Sequence, residues 1–393
     1  MTKYDYLIVG GGMTAYAAAK AIRSVDTNGS ICMFTEEPYP PYKRPPLSKK
    51  LWQGKPIDII ELKTGERGVQ VLTGRSVTGL NTVMNSIVDD TGEVFEYGKL
   101  LLATGGTPRR LPFGGDDIIY FRTLDDYHRL RKLTETGESF AVIGGGFIGS
   151  EIAAALCGIG KKVTLIMPEN AICSRVFPTD VAEYVNKYYA DKGVQLLFED
   201  SVVSMAADGN KRILHTASEK TITVDGVVAG IGIKPNVSLA QDAGLGVGDG
   251  IITAADLTAG VHNVYAAGDC ASFVSPATGM LTRLEHEDNA LKMGKAAGLS
   301  MAGQDVRYEY LPMFYSDLFE LGYEAVGQVN SKFEVFADWQ EEYVTGVLYY
   351  LQEGRVRGVL LWNVWDKTDE ARLLIMDPGP FNSTNLAGRI TAD

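Results

Sequence analysis

Two sets of small residues carry the clearest chemical information in the chain: Gly10, Gly12 and Ala15, and then Gly144, Gly146 and Gly149. Each set has the spacing G-x-G-x-x-G/A, in which the glycines let backbone N–H groups approach a pyrophosphate and the last small residue lets a helix pack closely on a strand. Such a motif alone also fits an ordinary glycine turn, so the acids that follow it matter. A dinucleotide site needs a carboxylate about 20 residues further on for a ribose hydroxyl. Glu36 follows Ala15 by 21 positions, and Glu169 follows Gly149 by 20. A carboxylate at Glu169 accepts from a 2′-OH and repels a 2′-phosphate, which favours NAD over NADP. Arg175 keeps that preference moderate.

Other residues offer weaker chemistry. The proline-rich stretch at 37–52, EPYPPYKRPPLSKKLW, stiffens the backbone and places Arg44 and Lys49 on either side of Pro45, Pro46 and Leu47. A guanidinium there can pair with a phosphate and an ammonium can reach a redox ring, while solvated charges on a surface turn are the plain alternative. Residues 99–109, KLLLATGGTPR, read as a buried strand ending in a turn at Thr104 and Gly105, suited to close approach of a ligand. Residues 263–271, NVYAAGDCA, bring Asp269 to another glycine turn, where an acid either binds a polyol hydroxyl or caps a helix. The four cysteines have no C-x-x-C spacing, which disfavours a redox dithiol, a zinc site and a disulfide frame, and Cys270 reads as a small packing residue. The four histidines form no metal-ligand cluster.

The elements that position these residues follow from periodicity. Residues 3–23 read as strand, turn and helix, and the unit recurs at 140–156, with Glu151 expected in the first turn of its helix. Residues 31–34, 68–80, 86–97, 162–167 and 221–228 read as strands, and 283–302 as a helix with Glu285 and His286 near its start. From 306 onward strands dominate, including 343–362 folded about Glu353 and Gly354, followed by a helix at 367–376. The expected organisation is α/β: two Rossmann-like units, at 1–125 with 250–305 and at 126–249, plus a C-terminal α+β domain at 306–393. A hydrophobic content of 45% with 22% charged residues is that of a globular protein, and a net charge of −12 disfavours nucleic acid and anionic membranes as partners. No apolar run is long enough to span a bilayer, and Asp5 interrupts the first one, so a cytoplasmic protein is expected.

The segments GGGMTAYAAA, PYKRPPLSKKLW, LLATGGTPR, GGGFIGSEIA, VYAAGDCA, LEHEDNA, FYSDLFELGYEAVG and VLLWNVW closely resemble apoptosis-inducing factor and, more loosely, the FAD-containing ferredoxin and rubredoxin reductases. PPLSK and GYEA are the specific pieces. The resemblance implies FAD against Gly10, Gly12, Glu36, Arg44, Lys49, Val77, Arg109, Asp269 and His286, and NAD(H) against Gly144, Gly146, Phe147, Glu151, Glu169, Gly232, Glu324 and Asn363, with Glu285 a further cofactor-binding candidate. It also implies that Lys49 and Glu151 pair beside flavin N5, the atom that receives hydride; an ordinary salt bridge is the plain alternative. The implied function is NADH oxidation through FAD, with electrons passed to a ferredoxin-type protein, a quinone or oxygen. An acidic ferredoxin requires a local basic patch, for which Lys43, Arg44, Lys49, Lys50 and Lys55 are candidates. The rival implication is a redox sensor whose long-lived NADH-reduced form changes partners or oligomeric state; a homodimer is among the expected partners. The family's FWSDL reads FYSDL here, so Tyr315 stands where a tryptophan would flank the nicotinamide. The targeting segment and long C-terminal insertion of the animal mitochondrial members are not expected here, so an apoptotic or DNA-binding role does not transfer.

Overall fold

A computed structural model describes residues 2–392, and the chain divides into two compact units. The first comprises Met1–Lys43, Ile57–Thr107 and Lys234–Pro312. At its centre the strand Thr2–Val9 pairs in parallel with Ile31–Thr35 on one side and Val94–Leu102 on the other. Successive connections thus leave the central strand in opposite directions, which opens a crevice at its C-terminal end. Gly10 begins there, with φ +117 and its own N–H donating to Phe34 O at 2.9 Å. A Cβ on Gly10 would stand 2.0 Å from Ala103 O, so only glycine fits. The helix Met13–Val25 follows, and its alanines at 15, 18 and 19 are fully buried. The helix Glu287–Met301 packs on it through Gly294 and Gly298, where added Cβ atoms would come within 2.4 Å of Thr14 O and 2.3 Å of Ala18 O.

The second unit comprises Arg44–Pro56, Pro108–Ile233 and Met313–Asp393. Its parallel sheet repeats the same logic: Ser139–Ile143 lies between Lys162–Ile166 and Gly226–Ala229, with Gln195–Leu197 and Ile118–Tyr120 outside them. Gly144 has φ +106, and the helix Phe147–Gly158 starts from the turn. The same unit contains a five-stranded antiparallel sheet in the order Met313–Leu318, Leu321–Gly327, Arg355–Trp362, Thr345–Gln352, Glu334–Glu341. Glu353 and Gly354 both take positive φ at its two-residue hairpin, the conformation that matches strand twist.

Three local expectations change. The strand expected at 221–228 is interrupted at Asp225, whose carboxylate accepts from the N–H groups of Glu138 and Ser139 at 3.1 and 3.0 Å and from the Ser139 hydroxyl. The helix expected from 283 begins at Glu287, because Arg283 is tethered sideways to Asp249, Glu285 and the carbonyl of Asp269. Glu285 and His286 therefore precede the helix. Glu151 lies one turn further into its helix than expected, as the fifth residue of Phe147–Gly158. Among the described residues, no helix is long and apolar enough to cross a membrane.

Candidate functional site

In the second unit, a short 3-10 turn at Pro45–Leu47 presents Ser48 and Lys49. The turn is anchored by buried Leu47, Leu51 and Trp52, with the Trp52 indole donating to Leu47 O at 2.7 Å. Arg44, at its start, donates to Arg122 O at 3.1 Å. Lys49 leaves the turn with its side chain only 8% exposed and forms an ion pair with Glu151, itself 4% exposed. Two hydroxyls complete the cluster: Ser48 donates to Glu151 Oε2 at 2.6 Å and Ser316 to Oε1 at 2.6 Å. Lys49 Nζ also lies 5.2 Å from the centroid of the Tyr315 ring, within the range of a cation–π contact. Burial holds the nearby Asp317 carboxyl above its usual range, against the opposing pull of Lys49.

The glycine turn of this unit is tighter than the first at its last small residue, where Gly149 stands in place of Ala15. A Cβ on Gly149 would stand 1.8 Å from Gly144 O, whereas one on Gly146 would meet nothing within 4 Å. Gly146 provides no side-chain cap to the helix, so its first N–H groups face an open cradle suited to a phosphate. Phe147 packs on Phe314 at 5.3 Å between centroids. Glu169 is half-buried beyond the next strand and meets exposed Arg175 at 3.3 Å. Arg109 donates its backbone N–H to Gly232 O at 2.9 Å, which brings those two predicted residues together. Tyr315 and Glu324 face each other across adjacent strands. The Asn363 side chain accepts from Gly322 N and donates to Val344 O, both at 2.8 Å, which leaves one amide N–H to offer a ligand.

In the first unit, Gly12 likewise leaves its helix without a side-chain cap and has open space at its Cβ position. Glu36 is exposed immediately after Ile31–Thr35, and Val77 begins the strand Val77–Asn81. Thr104 donates its hydroxyl to Asn236 O at 2.6 Å, and Gly105 accepts the Asn236 N–H, so this turn is locked from outside the sheet. Asp269 lies in the 3-10 turn Gly268–Cys270. Desolvation drives the His286 imidazole down to about 4, against the opposing effects of Asp269 and Asp288. All four cysteines are free, and burial pushes each thiol up, so none has the lowered value of a reactive dithiol.

Ser48 and Ser316 are the residues that sequence reasoning missed. Both sit inside recognised motifs, beside Lys49 in PPLSK and beside Tyr315 in FYSDL, yet nothing in either motif shows that they meet at one carboxylate.

Two uncapped glycine cradles, each at the crossover point of a parallel sheet, fit two dinucleotides. Residues 4–294 match the pyridine nucleotide-disulphide oxidoreductase model, and residues 335–377 match the C-terminal domain of mitochondrion-associated apoptosis-inducing factor. The chain belongs to the pyridine nucleotide-disulphide oxidoreductase family and is an FAD-dependent NAD(P)H oxidoreductase. It is 31% identical to mitochondrial apoptosis-inducing factor 1 of Dictyostelium discoideum, over 95% of this chain and 78% of the relative. It is 30% identical to putidaredoxin reductase of Pseudomonas putida, over 98% of this chain and 94% of the relative. The solved covalent putidaredoxin reductase–putidaredoxin complex superposes with a TM-score of 0.91 at 28% identity, covering 98% of this chain and 96% of that one.

Proposed function

We propose that the protein oxidises NADH in preference to NADPH and passes the electrons to a small ferredoxin-type protein. The observation that carries this reading is the buried Lys49–Glu151 pair, held by side chains from three separate stretches of sequence. Bound FAD supplies the chemistry that lets a two-electron hydride donor feed a one-electron acceptor. Lys49 brings a positive charge that favours the negative charge developing on reduction, and Glu151 holds that ammonium and offsets its desolvation. Gly10, Gly12, Ala15 and Glu36, with Val77, Thr104, Gly105, Asp269, Glu285 and His286, bind FAD. Gly144, Gly146, Phe147, Gly149, Glu169 and Gly232, with Tyr315, Glu324 and Asn363, bind NADH.

Glu169 sets the nucleotide preference by accepting from the ribose 2′-OH and repelling a 2′-phosphate. Exposed Arg175, already paired with Glu169, limits the discrimination. The ferredoxin-type acceptor is supported by the full-length likeness to a reductase solved with putidaredoxin. The exposed lysines of the Arg44–Pro56 segment, Lys50 and Lys55, offer an acidic partner a local positive surface despite the net charge. The test is anaerobic stopped-flow reduction by NADH and NADPH, followed by steady-state turnover with a purified [2Fe–2S] ferredoxin, a quinone and air. Fast NADH reduction with slow turnover on every acceptor would replace this reading with that of a redox sensor, which the match to apoptosis-inducing factor supports.

A further inference from the structure

We propose that the hydroxyls of Ser48 and Ser316 are positioning groups for hydride transfer, fixing the Glu151 carboxylate so that it aims the Lys49 ammonium. The inference rests on the reading that Lys49 and Glu151 serve that reaction. A lone lysine–glutamate pair fixes a charge separation but not an orientation: the carboxylate can turn about its last bond, and the ammonium can swing on its four-carbon stem. Here the turn is blocked. Ser48 holds Oε2, and Ser316 holds Oε1 together with Lys49, so the two oxygens are distinguished and the carboxylate plane is set.

The serines are themselves immobile. Ser48 is 5% exposed and Ser316 1%. Ser48 follows the rigid Pro45–Leu47 turn, and Ser316 lies mid-strand opposite Tyr323. Their placement is specific to this site. In the first glycine motif the residue corresponding to Glu151 is Ala17, also buried, and the fold accommodates it without polar partners. A packing role alone would be met by alanine at 48 and 316, whereas two hydroxyls converging on one buried carboxylate give it defined geometry. A reaction sensitive to distances of about 1 Å depends on that definition.

The test compares Ser48→Ala, Ser316→Ala and the hydroxyl-retaining Ser48→Thr and Ser316→Thr in the FAD-loaded protein, each in the parent and in a Glu151→Gln background. In the parent, each alanine variant should keep its FAD content but reduce with NADH about tenfold more slowly, the size expected for loss of one charge-assisted hydrogen bond. The NADH concentration giving half-maximal rate should change little. The visible flavin spectrum and reduction potential without nucleotide should move in the direction that Lys49→Ala moves them, and the threonine variants should restore both. In the Glu151→Gln background the same serine changes should have less than about a twofold effect, because coupled residues do not add. Equal losses in both backgrounds, or no loss in the parent, would overturn the proposal. If Ser316→Ala does not fold, Ser48→Ala carries the same comparison alone. Parental reduction rates in Lys49→Ala and Glu151→Gln themselves would instead refute the hydride-transfer reading of the pair.

Discussion

The two glycine turns share a backbone and differ in what their helices bury. Seven positions past its first glycine, the helix Met13–Val25 has Ala17; at the same step, Phe147–Gly158 has Glu151. The first helix is covered by the backbone-close glycines of Glu287–Met301, an apolar contact in which only small residues fit. The second meets Ser48, Lys49 and Ser316. The cradle for a dinucleotide therefore needs no buried carboxylate. Where one occurs, it carries a desolvation penalty that packing does not require, and the proposed function gives that penalty a purpose at the flavin.

The largest expected effect follows directly. Glu151→Ala would leave the Lys49 ammonium buried without its carboxylate, at a cost of about 3–5 kcal/mol in stability and with strongly slowed NADH reduction. Ala17→Gly at the corresponding position should cost only about 1 kcal/mol and leave reduction unaffected. Urea unfolding and stopped-flow reduction of the two variants measure the contrast, and equal losses in both would abolish it.

A smaller contrast tests the turns themselves. Gly149→Ala forces a Cβ to within 1.8 Å of Gly144 O, a backbone atom that cannot move cheaply, and should cost roughly 3 kcal/mol. Its counterpart Ala15 is fully buried and already accommodates a Cβ, so Ala15→Gly should cost about 1 kcal/mol. Similar urea midpoints for the two variants would show that the turns have the same clearance after all.

Most of the architecture is legible in the sequence because glycine spacing, strand periodicity and downstream acids are local signals. What was not legible depends on distant partners. Ser316 reaches Glu151 across 165 positions, and Arg283 is held by Asp249 34 positions earlier, which keeps Glu285 and His286 out of the following helix. Asn363 illustrates another limit: the motif VLLWNVW marks it, but its positive φ and its bonds to Gly322 and Val344 are tertiary facts.

Nucleotide choice separates the acids of the two motifs. Glu169→Ala should narrow the NADH over NADPH preference by about tenfold, since it removes the repulsion and releases Arg175 to meet a 2′-phosphate. Glu36→Ala should leave the preference unchanged and weaken FAD retention instead. Ratios of reduction rates with the two nucleotides, together with FAD content after gel filtration, separate these roles. A changed preference in Glu36→Ala would undo the assignment of one acid to each cofactor.

Between pH 6.5 and 4 the first unit contributes a pH response of its own through His286. His286 is held down to about 4 from 6.5, so the folded protein binds fewer protons than the unfolded chain between those values. The stabilising contribution of the neutral imidazole is fully present above pH 6.5 and declines as pH falls toward 4. The urea midpoint should therefore fall across that window, and His286→Gln should flatten the fall. An identical slope in the variant would assign the acid sensitivity to other groups.

The smallest expected effect concerns Tyr315 and decides between turnover and sensing. Adjacent residues on a strand face opposite ways, and the contacts follow that rule: Phe314 packs on Phe147 and Tyr323, while the Tyr315 ring lies 5.2 Å from Lys49 Nζ. Ser316, on the same face as Phe314, reaches Glu151, whereas Tyr315 is the aromatic within cation–π range of the Lys49 ammonium. A tryptophan there would offer a larger π surface and a stronger cation–π partner, worth about 0.5–1 kcal/mol, or roughly a twofold to fivefold change in a lifetime it controls. Tyr315→Trp should therefore lengthen, by about that factor, the long-wavelength absorbance that persists when anaerobically NADH-reduced protein is opened to air. Phe314→Trp, on the opposite face, should not do so. If both or neither variant lengthens the lifetime, the aromatic beside Lys49 does not govern how long the reduced protein survives, and the native tyrosine ceases to be an argument for turnover over signalling.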